Sequence, residues 1–96
     1  MSEFRFAVNV LPKPGILDPQ GRAVELSLPH LNVTNVSMVR VGRRVELTVT
    51  AASEAEARAV VGGLAKELLS NPLIEVYAFE LLEATSSAVS TGAAPK

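Results

Sequence analysis

Few side chains in this 96-residue chain could do covalent or acid–base chemistry. His30 is the single histidine, and there is no cysteine. A metal site needs several convergent N, O or S donors, and a lone His without Cys or paired carboxylates supplies too few. The same scarcity argues against a Ser-His-Asp set, a thiolate nucleophile and disulfides. Asp18 could act as a general base, yet its place directly before Pro19 already has a structural explanation. The pair reads as N-cap followed by first helical residue, where proline's missing N–H costs nothing. Gly15 through Gly21 leads into that helix N-terminus, a location able to cradle phosphate. It carries neither the dinucleotide nor the P-loop glycine pattern, and a capping Asp18 would repel an anion. No catalytic, cofactor-binding or metal-binding residue is therefore assigned.

Recognition is better provided for. Residues 13–24 hold Pro14, Gly15, Pro19 and Gly21 together with Lys13, Asp18 and Arg22. Pro14 and Pro19 fix φ and Gly15 supplies permissive backbone, so this is a stiff loop feeding a helix. Stiff loops on a scaffold are where binding surfaces concentrate. Arg40, Arg43 and Arg44 cluster around Gly42, either as a solvated tip or as a basic contact for an acidic partner surface. The candidate partner-binding residues are Lys13, Pro14, Gly15, Asp18, Gln20, Gly21, Arg22, Arg40 and Arg43.

The elements that position these residues follow from hydropathy. Phe4, Phe6, Val8 and Val10 alternate with Arg5, Ala7 and Asn9, the pattern of a half-buried strand. Val24, Leu28 and Leu31 fall at helical spacing, with Pro29 predicting a kink or stop near Leu28 and Asn32 able to take a left-handed cap. Val36 to Thr50 is β-rich, and Val45 to Thr50 alternates strictly. Gly42-Arg43 predicts a hairpin turn, while one long bent strand with a bulge at Gly42 stays open as the alternative. Ser53 and Glu56 form a capping box. Ala57, Val60, Val61, Leu64, Ala65 and Leu68 then make an apolar helical stripe, interrupted by Gly62 and Gly63. Asn71-Pro72 ends that helix, and Ile74 to Leu82 is the last strand.

The length gives one domain, here residues 1–83, and 84–96 has the small-residue composition of a disordered tail. Hydrophobic residues make up 48% and aromatics 4%, so the core is aliphatic. A net charge of −1 gives no electrostatic reason to bind nucleic acid or an anionic membrane. No apolar run is long enough to span a bilayer and no signal peptide is evident, so a cytoplasmic location is the expectation.

The order β-α-β-β-α-β, with right-handed crossovers, predicts an α+β ferredoxin-like sandwich: a four-stranded antiparallel sheet with both helices on one face. The opposite face would carry Arg5, Ala7, Asn9, Arg44, Glu46, Thr48, Val76, Ala78 and Glu80, suited to solvent or to a polar subunit contact. An RNA-recognition module on this topology needs stacking aromatics on that open face, whereas Phe4 and Phe6 share the helix-facing parity. Acylphosphatase-type chemistry would want a loop arginine as phosphate anchor, and Arg22 sits within the first helix instead.

Three segments carry a family resemblance: Lys13 to Val24 (KPGILDPQGRAV), Val39 to Leu47 (VRVGRRVEL) and Leu68 to Glu80 (LLSNPLIEVYAFE). In order and spacing they resemble PurS, the small subunit of bacterial and archaeal phosphoribosylformylglycinamidine (FGAM) synthase. The chain departs from that pattern at Pro29, at Gly62-Gly63 and in the residues after Glu83. The resemblance implies a subunit without an active site or bound cofactor of its own, in a complex that uses ATP, Mg and glutamine. Its implied partners are the synthetase and glutaminase subunits, with self-association as a dimer or tetramer. The competing reading is a free-standing ACT-like small-molecule sensor.

Overall fold

The structure is a computed structural model and describes residues 1–86. Its centre is β1 (Ser2–Pro12), which pairs antiparallel on one side with β2 (Arg43–Ala51) and on the other with β3 (Glu75–Ser86). Because both edges of β1 are occupied, its apolar face is the most deeply buried surface of the molecule. Phe4, Phe6, Val8 and Val10 are all buried on it. Phe6 meets Phe79 of β3 edge-on, with ring centroids 6.0 Å apart, and the Arg58 guanidinium lies 5.8 Å from the Phe6 centroid.

Helix α1 spans Pro19–Ser27 and continues as a 3-10 turn over Leu28–Leu31, which Asn32 ends at φ 60°. The tighter turn answers Pro29, whose ring and missing N–H are incompatible with a further α-helical turn. Helix α2 (Glu54–Leu64) starts at Ser53, whose hydroxyl accepts the Glu56 N–H at 3.2 Å. Gly62 and Gly63 do not break it, and it runs on into one π-helical turn over Ala65–Leu69. Ala57, Val61 and Ala65 press the α2 stripe into the sheet core. Small residues at these contacts let the helix axis lie close to Phe6 and Val8.

Four expectations are corrected. The sheet has three strands among the described residues, in the order β2-β1-β3, and not four. Residues 36–42 form no hydrogen-bonded turn and pair with no strand among the described residues: no hairpin forms at Gly42-Arg43, and Met38 takes a left-handed φ of 58° before the chain enters β2. The α+β class holds, but only α2 covers the sheet; no α1 residue belongs to the core. Finally β3 continues through Ser86, with Ala84 opposite Phe4 and Thr85 opposite Glu3, so the boundary at 83 falls three residues short. The remainder of the expected tail, 87–96, lies outside the described residues.

The molecule measures 54 × 30 × 16 Å with a radius of gyration of 17.7 Å. A compact domain of this length would have about 12–13 Å.

On the open face, charges of both signs pair across strands. Arg5 bridges Glu46 at 3.2 Å and Glu83 at 3.1 Å, and Arg44 reaches Glu46 at 3.0 Å and Glu80 at 3.7 Å. Ala7, opposite Glu46 on one side and Glu80 on the other, is fully buried although it lies on this face. A register shift in β3 between the partners of Arg5 and Phe6 skips Leu82. That bulge keeps Leu81 with the core and Glu83 with Arg5.

Gly42 sits where a Cβ would come well under 3.0 Å from the Val10 carbonyl oxygen, whereas a Cβ on Gly63 meets open space. Gly42→Ala should therefore destabilise the fold by about 1–3 kcal/mol through forced backbone shifts. Gly63→Ala should be neutral or stabilise by up to about 1 kcal/mol. Urea denaturation of both variants checks the contrast, and equal midpoints would contradict it.

Candidate functional site

All three sequence segments singled out above meet at one end of the molecule, beyond the C-terminal end of β1. The Lys13 N–H donates to the Ile74 carbonyl at 2.8 Å, tying the loop to the turn before β3. The Arg40 guanidinium donates to the Pro12 carbonyl. Gly42 lies flat against Val10 and Leu11. Residues distant in sequence thus build one surface, and short backbone links hold it rigid.

Asp18 organises the loop. One carboxylate oxygen accepts the Gly21 N–H at 3.0 Å as the N-cap of α1. The other accepts the Val41 N–H at 2.9 Å, from a segment 23 residues away. Glu25, about two helical turns further along α1, accepts the Val39 N–H at 2.9 Å. Two carboxylates on one helix therefore grip alternate amides on one edge of an extended segment. Gly21 permits this approach, since a Cβ there would come under 3.0 Å from the Val39 carbonyl oxygen. These charge-assisted bonds are stronger than neutral ones.

Arg43 is bound internally and is not a free contact. Its guanidinium forks onto Glu75 at 2.8 and 2.9 Å and donates to the Leu69 carbonyl at 2.7 Å. The same Glu75 accepts the Asn71 N–H at 2.7 Å, so this pair locks the turn after α2 to the start of β2. The Arg43 guanidinium, and then the Asn71 amide, hold the Glu75 carboxyl below the usual carboxylate range. On the open face Arg44, then Arg5, do the same for Glu46.

Of the nine candidates, Asp18, Gly21 and Arg43 serve the internal architecture. Pro14, Gly15 and Gln20 are exposed, and Gly15 has the positive φ (86°) expected of a glycine-dependent turn. Arg22 is exposed with one loose contact to Glu25 at 3.5 Å. Lys13 is half-buried, and Arg40 is exposed while anchored at its tip. Sequence reading missed Glu25 and Glu75, whose roles depend on contacts 14 and 32 residues away. It also missed the apolar component of this end: Leu17, 81% exposed, and Leu73, 82% exposed. Among the described residues no group of three His, Cys, Asp or Glu side chains could hold a metal ion. The arrangement offers a firm, mixed polar and apolar surface for another protein.

The amides of Gly21 and Val41, with help from the Arg40 charge, hold the Asp18 carboxyl below its ordinary value of 3.8. A depressed carboxylate stabilises the fold at every pH above its unfolded-state value and loses that contribution as pH falls through the lower folded-state value. An NMR acid titration should show the Gly21 and Val41 amide shifts moving together with a midpoint below 3.8. Asp18→Asn, which keeps a capping side chain, should abolish that transition; a shared midpoint at or above the ordinary value would contradict the clamp.

Comparison with known proteins agrees with this picture. A family model described as PurS, phosphoribosylformylglycinamidine (FGAM) synthase, matches residues 5–83. The FGAM synthase subunit PurS of Synechocystis is 40% identical over 74 residues, covering 77% of this chain and 74% of that protein. The structure of Thermus thermophilus PurS is 38% identical, with a TM-score of 0.71 over 84% of this chain and 99% of that one. A chain in the PurLQS structure from Thermotoga maritima superposes with a TM-score of 0.78 at 32% identity, over 85% of this chain and 100% of that one. The chain belongs to the PurS family of FGAM synthase subunits.

Proposed function

We propose that this subunit is non-catalytic and joins the glutaminase and ATP-dependent synthetase subunits of FGAM synthase. The joined complex converts formylglycinamide ribonucleotide, ATP and glutamine to formylglycinamidine ribonucleotide, ADP, phosphate and glutamate in the cytoplasm. ATP, Mg and glutamine act on the larger subunits. The observation that carries this reading is the convergence of the three family-like segments on one rigid end. Lys13, Pro14, Gly15, Gln20, Arg22 and Arg40 provide its contacts, while Asp18, Gly21 and Arg43 hold it in shape.

The chemistry explains why such a subunit is needed. Ammonia released by a glutaminase is mostly protonated at neutral pH and escapes into solvent. Two active sites that share it must be held in fixed register, and proximity of this kind is a large catalytic contribution. A rigid connector supplies that geometry without touching the reacting atoms. Self-association belongs to the same reading, because helix α1 and residues 36–38 leave Val24, Leu31, Val36 and Met38 exposed.

Reconstitution tests it. Leaving this subunit out should abolish glutamine-dependent synthesis while the synthetase still uses free ammonium. Full glutamine-dependent activity without it would overturn the proposal. Arg22→Ala together with Lys13→Ala should weaken co-elution of the complex by about tenfold or more, as truncated interface anchors do, with an unchanged denaturation midpoint. Unchanged co-elution would remove these two residues from the interface.

A further inference from the structure

Two proline turns are fastened together at the loop end, and each presents a leucine that the fold leaves in solvent. In the first, the Ile16 N–H donates to the Lys13 carbonyl at 3.1 Å, with Pro14 and Gly15 (φ 86°) at the central positions. Proline followed by a left-handed glycine is the type II combination. In the second, the Ile74 N–H donates to the Asn71 carbonyl at 3.0 Å across Pro72 and Leu73. The Asn71 side-chain oxygen also accepts the Leu73 N–H at 3.1 Å, and Glu75 accepts the Asn71 N–H at 2.7 Å. The Lys13 N–H, donating to the Ile74 carbonyl at 2.8 Å, ties one turn to the other.

Leu17 follows the first turn and Leu73 sits within the second, 81% and 82% exposed. Leu17 precedes the Asp18 cap, a position whose apolar side chain can pack on the fourth residue of the helix. That residue is Arg22, so Leu17 finds no apolar partner there. Leu73 occupies a turn position that makes no demand on its side chain. Single exposed leucines are ordinary on a protein surface. These two differ because backbone bonds fix their positions before any partner arrives, and a preordered side chain loses less freedom on binding.

Charge at this end is sorted by sign. Asp18, Glu25 and Glu75 spend their carboxylates on backbone amides and on the Arg43 fork. The cations stay available. Among the described residues neither Lys13 nor Arg40 forms an ion pair, and Arg22 has only its 3.5 Å contact to Glu25. Lys66 and Glu67, adjacent on the turn after α2, offset one another.

We infer that Leu17 and Leu73 are paired apolar anchors that seat in a larger subunit, in an apolar groove rimmed by carboxylates. The leucines carry the affinity because they are the side chains that lose most water, while Lys13, Arg22 and Arg40 steer the approach from the rim. A second copy does not suit this face, since an isologous contact would bring the same cations together. The inference rests on the joining role proposed above and names the residues and the partner chemistry that perform it.

Surface plasmon resonance against the purified synthetase and glutaminase subunits, separately and together, tests it. Leu17→Ala/Leu73→Ala should weaken binding to one of them about thirtyfold, through faster dissociation and by the same factor at low and high salt. Lys13→Ala/Arg22→Ala should act mainly by slowing association, with an effect that shrinks as salt rises. Leu17→Met/Leu73→Met should bind as the unmodified chain does. The alanine pair should keep the urea midpoint of the unmodified chain. Unchanged affinity for both larger subunits would overturn the anchors, and so would a loss that disappears at high salt. A lowered midpoint would give the leucines to the fold, and normal binding by a chain that sediments as a smaller species would give them to a second copy. Either result also overturns the inference. In all four cases the unmodified chain still binds and the joining role stands. An unmodified chain that binds neither larger subunit overturns that role and the anchors with it.

Discussion

The constraint on which this molecule depends is that β1 is flanked on both sides. A three-stranded sheet has one interior strand, and only there are both rows of backbone groups paired and one face fully covered. Phe4, Phe6, Val8 and Val10 fill that face, and Ala57 and Val61 of α2, with Ala65 of the turn that continues it, are buried against it. On the flanking strands Val45, Leu47, Val49, Phe79 and Leu81 are only partly buried and Ala51 alone joins the buried cluster, so the core is little more than one strand wide. Everything that does not reach the stripe must be held by polar links instead. This is why carboxylates and arginines carry so much of the architecture here.

Asp18 shows the consequence most clearly. In a two-layer fold α1 would be fixed by an apolar face pressed on the sheet. Here its sole buried residue is Gly21, and two carboxylates fasten it to the 39–41 backbone. Such bonds are directional where apolar contact is not, so the loop, α1 and residues 39–41 keep a defined geometry while standing off the core. Arg43 and Glu75 perform the same task at the turn after α2. A protein that must present a fixed surface gains from this arrangement, because Asp18, Glu25 and Arg43, which shape the surface, are distinct from the exposed Pro14, Gly15 and Gln20 upon it.

What could be read from the sequence was governed by the range of the interaction. Local signals were legible: the Asp18-Pro19 cap, the Ser53 cap, the stop at Pro29 and the left-handed Asn32 all involve neighbours within a few residues. The strand parity of Phe4 to Val10 was legible because alternation has one physical meaning. The role of Gly42 was not, since a turn glycine and a glycine in close backbone approach look alike until Val10 is beside it. Arg43 looked like a free surface charge for the same reason, its partner being 32 residues away. For the candidate site, the segments were found and their convergence was not.

The missing fourth strand is the most informative of these differences. Residues 36–41 carry β-branched Val36, Val39 and Val41, and among the described residues they pair with no strand. Strand propensity expresses the fit of side chains to a pleated, half-buried surface, and it says nothing about which chain provides that surface. When local preference and the monomer disagree, consistency across levels can be restored in an assembly. In residues 39–41 that preference is overridden by side chains of α1 and its cap: Glu25 and Asp18 accept the Val39 and Val41 amides that a neighbouring strand would otherwise use.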